Sequence, residues 1–442
     1  MTESNTEQRD AAEVGRMHST WLFLQTVYRQ IPTWALVASA LLLASFHTYR
    51  TFQRCNIPGS EDRFENRGFV DFHNAIYFPV RTFLSGQNPY SLQYVADHPD
   101  HEEFPLFPPH TLIFHLPFAW GNLAVSRYLY FGFQAVLFGV MAVWLLKRNG
   151  YAVNIRSLSL LASAVMLTVP FYSQVYLGQL TFQLALAAWV ALDQASRRPT
   201  VAGIALSVLA IKPQFVVPLS ILLLCRRQWK AVLYGATLSV LLVGLAFGWI
   251  AWNVGVTTLA SDIRETYFST FQTHPALGLA SENYRRIDLF PLFARIWGDD
   301  LSGVTKGLIS LTVLGTGAAT IYLLGKPGRC KCCDWLSNSV ICLTTLLCIY
   351  HSVYDGLLLL LPVSVAVLQP RRCPGWLSAI LLFAMAAVLW DVFALVRVLE
   401  KLGCADTRSL PGIMATTFAA VAMSLALLAS FLFAAIRKAE TE

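Results

Sequence analysis

Charge is what this chain has least of: 13% of its 442 residues are Asp, Glu, Lys or Arg, against 55% that are hydrophobic. One water-soluble core cannot hide that much apolar surface, so the composition predicts a polytopic membrane protein. The residue alternation of a membrane barrel is missing, which leaves helices as the spanning elements. No glycine-rich phosphate loop, nucleophile elbow or zinc-protease motif occurs, and this argues against ATP-driven transport. The nine cysteines are odd in number and scattered, and their one cluster, Cys330, Cys332 and Cys333, lacks tetrahedral ligand spacing. Reduced or inert thiols are therefore expected, with no metal and no cofactor. Spacing does not decide whether Cys55 and Cys404 pair. Internal repeats and low-complexity tracts are also absent.

What is present is a series of long apolar runs. "PTWALVASALLLASFHTY", "AVLYGATLSVLLVGLAFGWIAW" and "GIMATTFAAVAMSLALLASFLFAAI" approach or exceed the ~20 apolar residues that cross a bilayer as helix. Arg9, Arg16 and Arg29 precede the first run and no small-residue cleavage site follows it, the pattern of an uncleaved signal-anchor. The formal net charge of +7 comes from Lys and Arg in short clusters between apolar runs. Membrane topology explains that distribution better than a nucleic-acid partner does.

Cytoplasmic loops collect Lys and Arg, so crossings between two basic clusters must be even in number. With the amino terminus inside, residues 1–30 form a cytoplasmic tail, partly disordered, and residues 51–121 a first extracytoplasmic loop with surface helices. A second large outer loop covers 253–304, residues 31–438 make one transmembrane domain, and 439–442 end in the cytoplasm. "FYSQVYLGQ" is expected as an outer turn, and "IKPQ" as the break in a hairpin of two half-length helices with Lys212 at its outward tip. Pro213 supports that break, since it lacks a backbone donor and disfavours helix at the preceding residue. The expected fold is all-α, with about twelve crossings and a broken hairpin.

Polar residues that hydropathy does not explain gather on the outer face. Asp71, His73, Arg81, Asn88 and Tyr90 come from the first loop, Gln174, Tyr176 and Gln179 from the second, and Lys212 and Gln214 from the hairpin. Glu282, Asn283, Arg285 and Arg286 come from the large loop, and His351, Tyr354 and Asp355 from a late hairpin. Ionisable groups at membrane depth are costly and usually mark a site or pathway. Phe72, Ile76, Phe83 and Leu84 are spaced as on a helix lying along the membrane surface. Asp71 falls in its first turn, where it either caps the helix or serves as a general base. Lys212, Arg285, Arg286 and His351 could neutralise a lipid phosphate. Each also has a structural reading: Lys212 snorkelling to headgroups, the Arg pair solvated, His351 in an interhelix hydrogen bond, Asp355 paired with a neighbour.

Four segments in order carry a resemblance. "VDFHNAIYFPVRTFLSGQNPY" has an Asp-Phe followed by Gly-x-Asn-Pro-Tyr; "FPLFPPHTLIFHLPF" is similar to a Phe-x-Tyr-Pro-Pro segment, with Phe107 where Tyr is common. "YLGQLTFQLALAAW" carries Gly-Gln, and "AGIALSVLAIKPQFVVPLSILLLCRRQWKA" carries Ala-Gly, Lys-Pro and a basic tail. Together they resemble glycosyltransferase family 87, of the GT-C fold class, and "YHSVYDGLLLLLP" is similar to a His-containing hairpin later in that family. The resemblance implies an inverting, metal-independent transfer of a sugar, often mannose or arabinofuranose. The donor is a polyprenyl phosphate and the acceptor an outer-face lipid or glycan. It matches Asp71 to a general base and Lys212 to a basic residue near the donor phosphate. His351, Arg285 and Arg286 are assigned with Lys212 to the phosphate and lipid. His73, Asn88, Tyr90, Gln179, Gln214, Tyr354 and Asp355 are assigned to acceptor or sugar. The expected partners are the two substrates and the membrane, with the protein a monomer or weak oligomer. The competing reading is a lipid-linked saccharide flippase, which would need a polar pathway reaching the cytoplasmic side.

Overall fold

The computed structural model describes residues 30–55, 68–98, 107–270, 285–298, 301–325, 331–368, 374–390 and 410–440. Among these the chain is helical without a strand, apart from two isolated bridges, Cys55 with Gly68 and Arg286 with Ser352. Apolar runs become helices because only a helix satisfies every backbone group within its own segment. Four are long and apolar enough to cross a membrane: Leu123–Arg148, Trp229–Val254, Gly303–Leu324 and Ile413–Ala439. A bent pair, Ile155–Met166 and Val169–Leu177, makes a fifth if counted as one span. Shorter apolar helices fill the space between them, including Pro199–Leu209, Pro213–Cys225, Val353–Leu368 and Gly375–Leu389.

The hairpin around "IKPQ" forms as two short helices of 11 and 13 residues, broken at extended Lys212 ahead of Pro213. At 1.5 Å per residue these reach only ~17–20 Å, short of a ~30 Å hydrocarbon core. The break therefore lies among protein rather than at a free tip, and Lys212 is 3% exposed. A lysine that buried does not snorkel. Pro199–Leu209 and Trp229–Val254 pack closely: a Cβ on Gly203 would come within 2.5 Å of the Tyr234 Cβ. Small residues let membrane helices approach this closely.

Three local expectations need correction. "FYSQVYLGQ" is not a turn but mostly helix, Val169–Leu177, set 81° from the helix before it. The cause is in "LTVP": Thr168 Oγ1 accepts from Phe171 N and Pro170 occupies the first turn, so the chain restarts a helix. The helix of the first loop does not lie on lipid. Phe72, Ile76 and Phe83 are buried in protein and only Leu84 is exposed. A π-helical stretch, His73–Tyr77, interrupts the α-helix and rotates the residues beyond it. Finally, Cys333 is disulfide-bonded rather than a reduced thiol, while Cys55, Cys225, Cys342 and Cys348 are free. Cys404 lies outside the described residues.

Candidate functional site

Asp71 is set in place by two close backbone approaches. Phe69, in the left-handed conformation at φ 61, donates its N–H to Tyr176 O at 2.9 Å, and the helix carrying Asp71 starts at the next residue. Opposite, Val169–Leu177 ends on Gly178 at φ 70, so near the first-loop helix that a Cβ there would lie 2.9 Å from Phe72 Cβ. The next residue, Gln179, thereby reaches the half-buried Asp71 and donates Nε2 to its Oδ2. Gln179 is itself anchored: its backbone oxygen accepts from Tyr130 Oη at 2.9 Å and from Gln174 Nε2.

The other end of the Gln179 amide faces a cation. Its Oε1 accepts from Lys212 Nζ at 3.4 Å, and the same Nζ stands 3.4 Å from Asp355 Oδ1 and 4.6 Å from the centre of the Tyr354 ring. Asp355 is fully buried and serves as a hub. It accepts from Thr181 Oγ1 at 3.3 Å and Ser352 N at 3.1 Å, and its Oδ2 lies 3.1 Å from His351 Nδ1. His351 Nε2 contacts the backbone oxygen of Gln214 at 3.3 Å. A buried ammonium and carboxylate persist only when paired and further hydrogen-bonded, as both are here.

Asp288 ties the large loop to this hub. It accepts a bidentate pair from Arg286 at 2.9 and 2.8 Å and the His351 N–H at 3.1 Å, and caps the Leu289–Trp297 helix through Phe290 N. Ile287 N donates to His351 O and Val353 N to Arg285 O, each at 2.9 Å, so the two segments run side by side. The Arg285 side chain is exposed.

The structure thus gathers Asp71, Gln179, Lys212, His351, Tyr354 and Asp355, with the backbone of Gln214 and, through Asp288, Arg286. It does not bring in His73, Asn88 or Tyr90. His73 accepts from Arg127 Nε at 2.7 Å, and burial with that guanidinium drives its pKa down to about 3. Asn88 donates to Asp262 Oδ2 at 2.8 Å while its Oδ1 holds the Tyr90 N–H at 3.0 Å, closing the Asn-Pro-Tyr turn. Tyr90 Oη donates to Phe107 O at 3.0 Å, and burial raises its pKa. Glu282 and Asn283 lie outside the described residues. Asp288 and Thr181 are not among the site residues expected from the sequence. An Asp directly before the apolar run "LFPLF" is a helix-start signal that could have pointed to Asp288; Thr181 carried none.

Behind Gln174 lies a cavity of about 140 Å³, lined mainly by apolar side chains including Phe69, Phe131, Phe138 and Phe182. Among the described residues no group of three His, Cys, Asp or Glu side chains is placed to hold a metal. A helical membrane protein with a buried charged network at its helix breaks is the class that fold and site define. The chain belongs to glycosyltransferase family 87, which it matches over residues 106–349. That match begins beyond Asp71 and takes in Gln179, Lys212 and Arg286. Neither the curated proteins nor the solved structures include a match.

Proposed function

We propose that this membrane glycosyltransferase moves a sugar, with mannose or arabinofuranose favoured, from a polyprenyl-phosphate donor to a lipid or glycan acceptor. The transfer takes place at the outer face of the membrane and inverts the anomeric centre. The observation that carries the reading is the bridge through Gln179, which sets a half-buried carboxylate and a cationic cluster at opposite ends of one amide. Asp71 takes the proton of the acceptor hydroxyl, whose oxygen attacks the anomeric carbon from the face opposite the phosphate. The bond from that carbon to the phosphate oxygen breaks, and its electron pair leaves with polyprenyl phosphate. A phosphate departs without a general acid, so positive charge is what it needs, from Lys212, His351, Arg286 and the exposed Arg285. The apolar cavity behind Gln174 has the lining that a prenyl chain requires. Residues 31–438 act as one GT-C domain with about twelve crossings counting the short helices, as a monomer or weak oligomer.

The test incubates purified protein with a panel of polyprenyl-phosphate sugars and extracted membrane lipids or glycans. Asp71→Asn is expected to lower transfer by about 10²- to 10⁴-fold, the usual worth of a general base. Wild-type transfer by that variant would remove Asp71 from the role. Absence of transfer with every donor, together with movement of a lipid-linked sugar across vesicles, would favour the flippase.

A further inference from the structure

At the end of Pro199–Leu209 far from Lys212, four exposed cations gather: Arg197, Arg198, Arg227 and Lys230. Contacts between Pro199–Leu209 and Trp229–Val254 advance together, Gly203 on Tyr234 and Leu206 on Gly235, so the two helices run parallel. Arg198 stands five residues before Gly203, and Lys230 four before Tyr234. At 1.5 Å per residue both lie about 6–8 Å from that contact, on one level. Arg197 adjoins Arg198, and Arg227 belongs to the turn just ahead of Trp229. Among the described residues none of the four has an acidic partner, and Asp193, the carboxylate nearest to Arg197 in the chain, is taken by Arg148 at 2.8 Å. Other arginines at these helix ends are engaged by protein: Arg226 donates to Asn338, and Arg437 contacts the Cys333 sulfur. Membrane sidedness asks only that cations stand on one side, not that unpaired ones share a patch.

Arg227 adds a sign of its own. At φ 62 its N–H donates to Leu224 O at 2.8 Å and Gln228 N to Leu223 O at 2.9 Å, the helix ending whose left-handed residue is usually glycine. An arginine there carries backbone strain that glycine avoids. Beside the cations the surface turns apolar, with Trp229 and Leu233 each 55% and Ile204 56% exposed. Tryptophan is enriched where headgroups meet acyl chains. Cations beside exposed apolar side chains complement a lipid whose phosphate is negative and whose chains lie along the helices. Like charge opposes a second copy of the same face. We propose that this patch binds an anionic phospholipid of the leaflet that the Lys and Arg clusters face. The binding depends neither on the sugar transferred nor on the role of Asp71.

The experiment measures, by native mass spectrometry, the lipids retained by the purified full chain titrated in mixed micelles. The probes are phosphatidylglycerol and phosphatidylcholine with identical chains. Phosphatidylglycerol should be held at least about 10-fold tighter. Each cation near an anionic surface contributes roughly fivefold, so Arg198→Gln, Arg227→Gln and Lys230→Gln combined should weaken phosphatidylglycerol about 100-fold and leave phosphatidylcholine unchanged. Lys147→Gln, which removes an exposed cation at another helix end, should change neither. Arg227→Gly suits the left-handed backbone, so it should melt no lower than the wild type and still bind phosphatidylglycerol roughly fivefold more weakly. That single variant keeps the test open where the triple one does not accumulate. Equal retention of the two lipids, a preference that survives these substitutions, or the same loss in Lys147→Gln would overturn the proposal. Displacement of phosphatidylglycerol by an equal concentration of inorganic phosphate would overturn it too, since the patch would then serve the free anion. No step of the measurement needs a sugar donor, so failure of the transfer reading leaves this result standing, and the reverse.

Discussion

Gly178 and Gly150 have nearly the same backbone, φ 70 and φ 77, but only Gly178 has neighbours where a side chain would go. A Cβ at Gly178 would meet Phe72 Cβ at 2.9 Å and Phe69 Cδ1 at 3.1 Å, whereas nothing lies within 4 Å of one at Gly150. Both alanine variants carry the left-handed penalty of ~1–2 kcal/mol. Gly178→Ala must in addition push the first-loop helix away, and with it Asp71 from Gln179. Sugar transfer should therefore fall at least ~10-fold in Gly178→Ala, since a shift of about 1 Å can cost that much. Gly150→Ala should lose melting temperature and keep transfer. Equal transfer by the two, measured on matched folded fractions, would mean that the approach of Gly178 does not set the site. The Gly-Gln pair was visible in the sequence as a motif, yet its physical meaning was not. Which two elements the glycine lets touch depends on a contact across more than a hundred residues, which no local pattern reports.

The described residues between 68 and 119 fold as short helices that bury His73, His110 and His115. Burial and the neighbouring Arg127 push His73 down to about 3, and burial takes His110 and His115 down to about 4 each. Their folded values lie below the unfolded value near 6.5, so under pH 6.5 the unfolded chain binds protons that the folded chain refuses. The stability these groups provide is complete above about pH 6.5 and is lost as pH falls toward 4, by ~1.4 kcal/mol per pH unit for each proton. Thermal unfolding followed in detergent should show the melting temperature dropping through that window. His73→Gln, which keeps an acceptor for Arg127, should flatten the drop by about one proton's share; an unchanged slope would show that His73 takes up its proton while folded. This element was only partly legible beforehand. The helix and the place of Asp71 at its start followed from the pattern of apolar residues. Its π turn did not, because one extra residue per turn leaves the composition unchanged while shifting the face presented by the residues beyond it, Phe83 among them.

Over the whole molecule, contacts between helix ends provide a check on the charge pattern that assigned sides. Arg148, closing Leu123–Arg148, pairs with Asp193 at 2.8 Å near the end of Thr181–Gln194. Arg226 donates to Asn338 at 2.7 Å, Arg437 contacts the Cys333 sulfur at 2.9 Å, and Lys438 lies 5.2 Å from the centre of the Tyr322 ring. Each contact joins two ends that the Lys and Arg clusters put on one side. The site residues Asp71, Gln179, Lys212 and Asp355 make the corresponding joins at the other ends of their helices. Two independent signals, the distribution of basic residues and tertiary contact, thus agree on which ends belong together. The number of full crossings was less readable, because half-length helices leave the same apolar signature as spans until their lengths are known. In the proposed topology the Lys and Arg clusters face the cytoplasm, and impermeant maleimide labelling in intact cells can check it. With accessible native cysteines blocked beforehand in each background, Gln87→Cys, on the exposed first loop, should label without permeabilisation. Ser196→Cys, beside Arg197 and Arg198, should label only after it. The reverse pattern would place the charged network, and with it sugar transfer, on the cytoplasmic face, where a donor could be used directly after its synthesis and the outer-face acceptor would have to be abandoned.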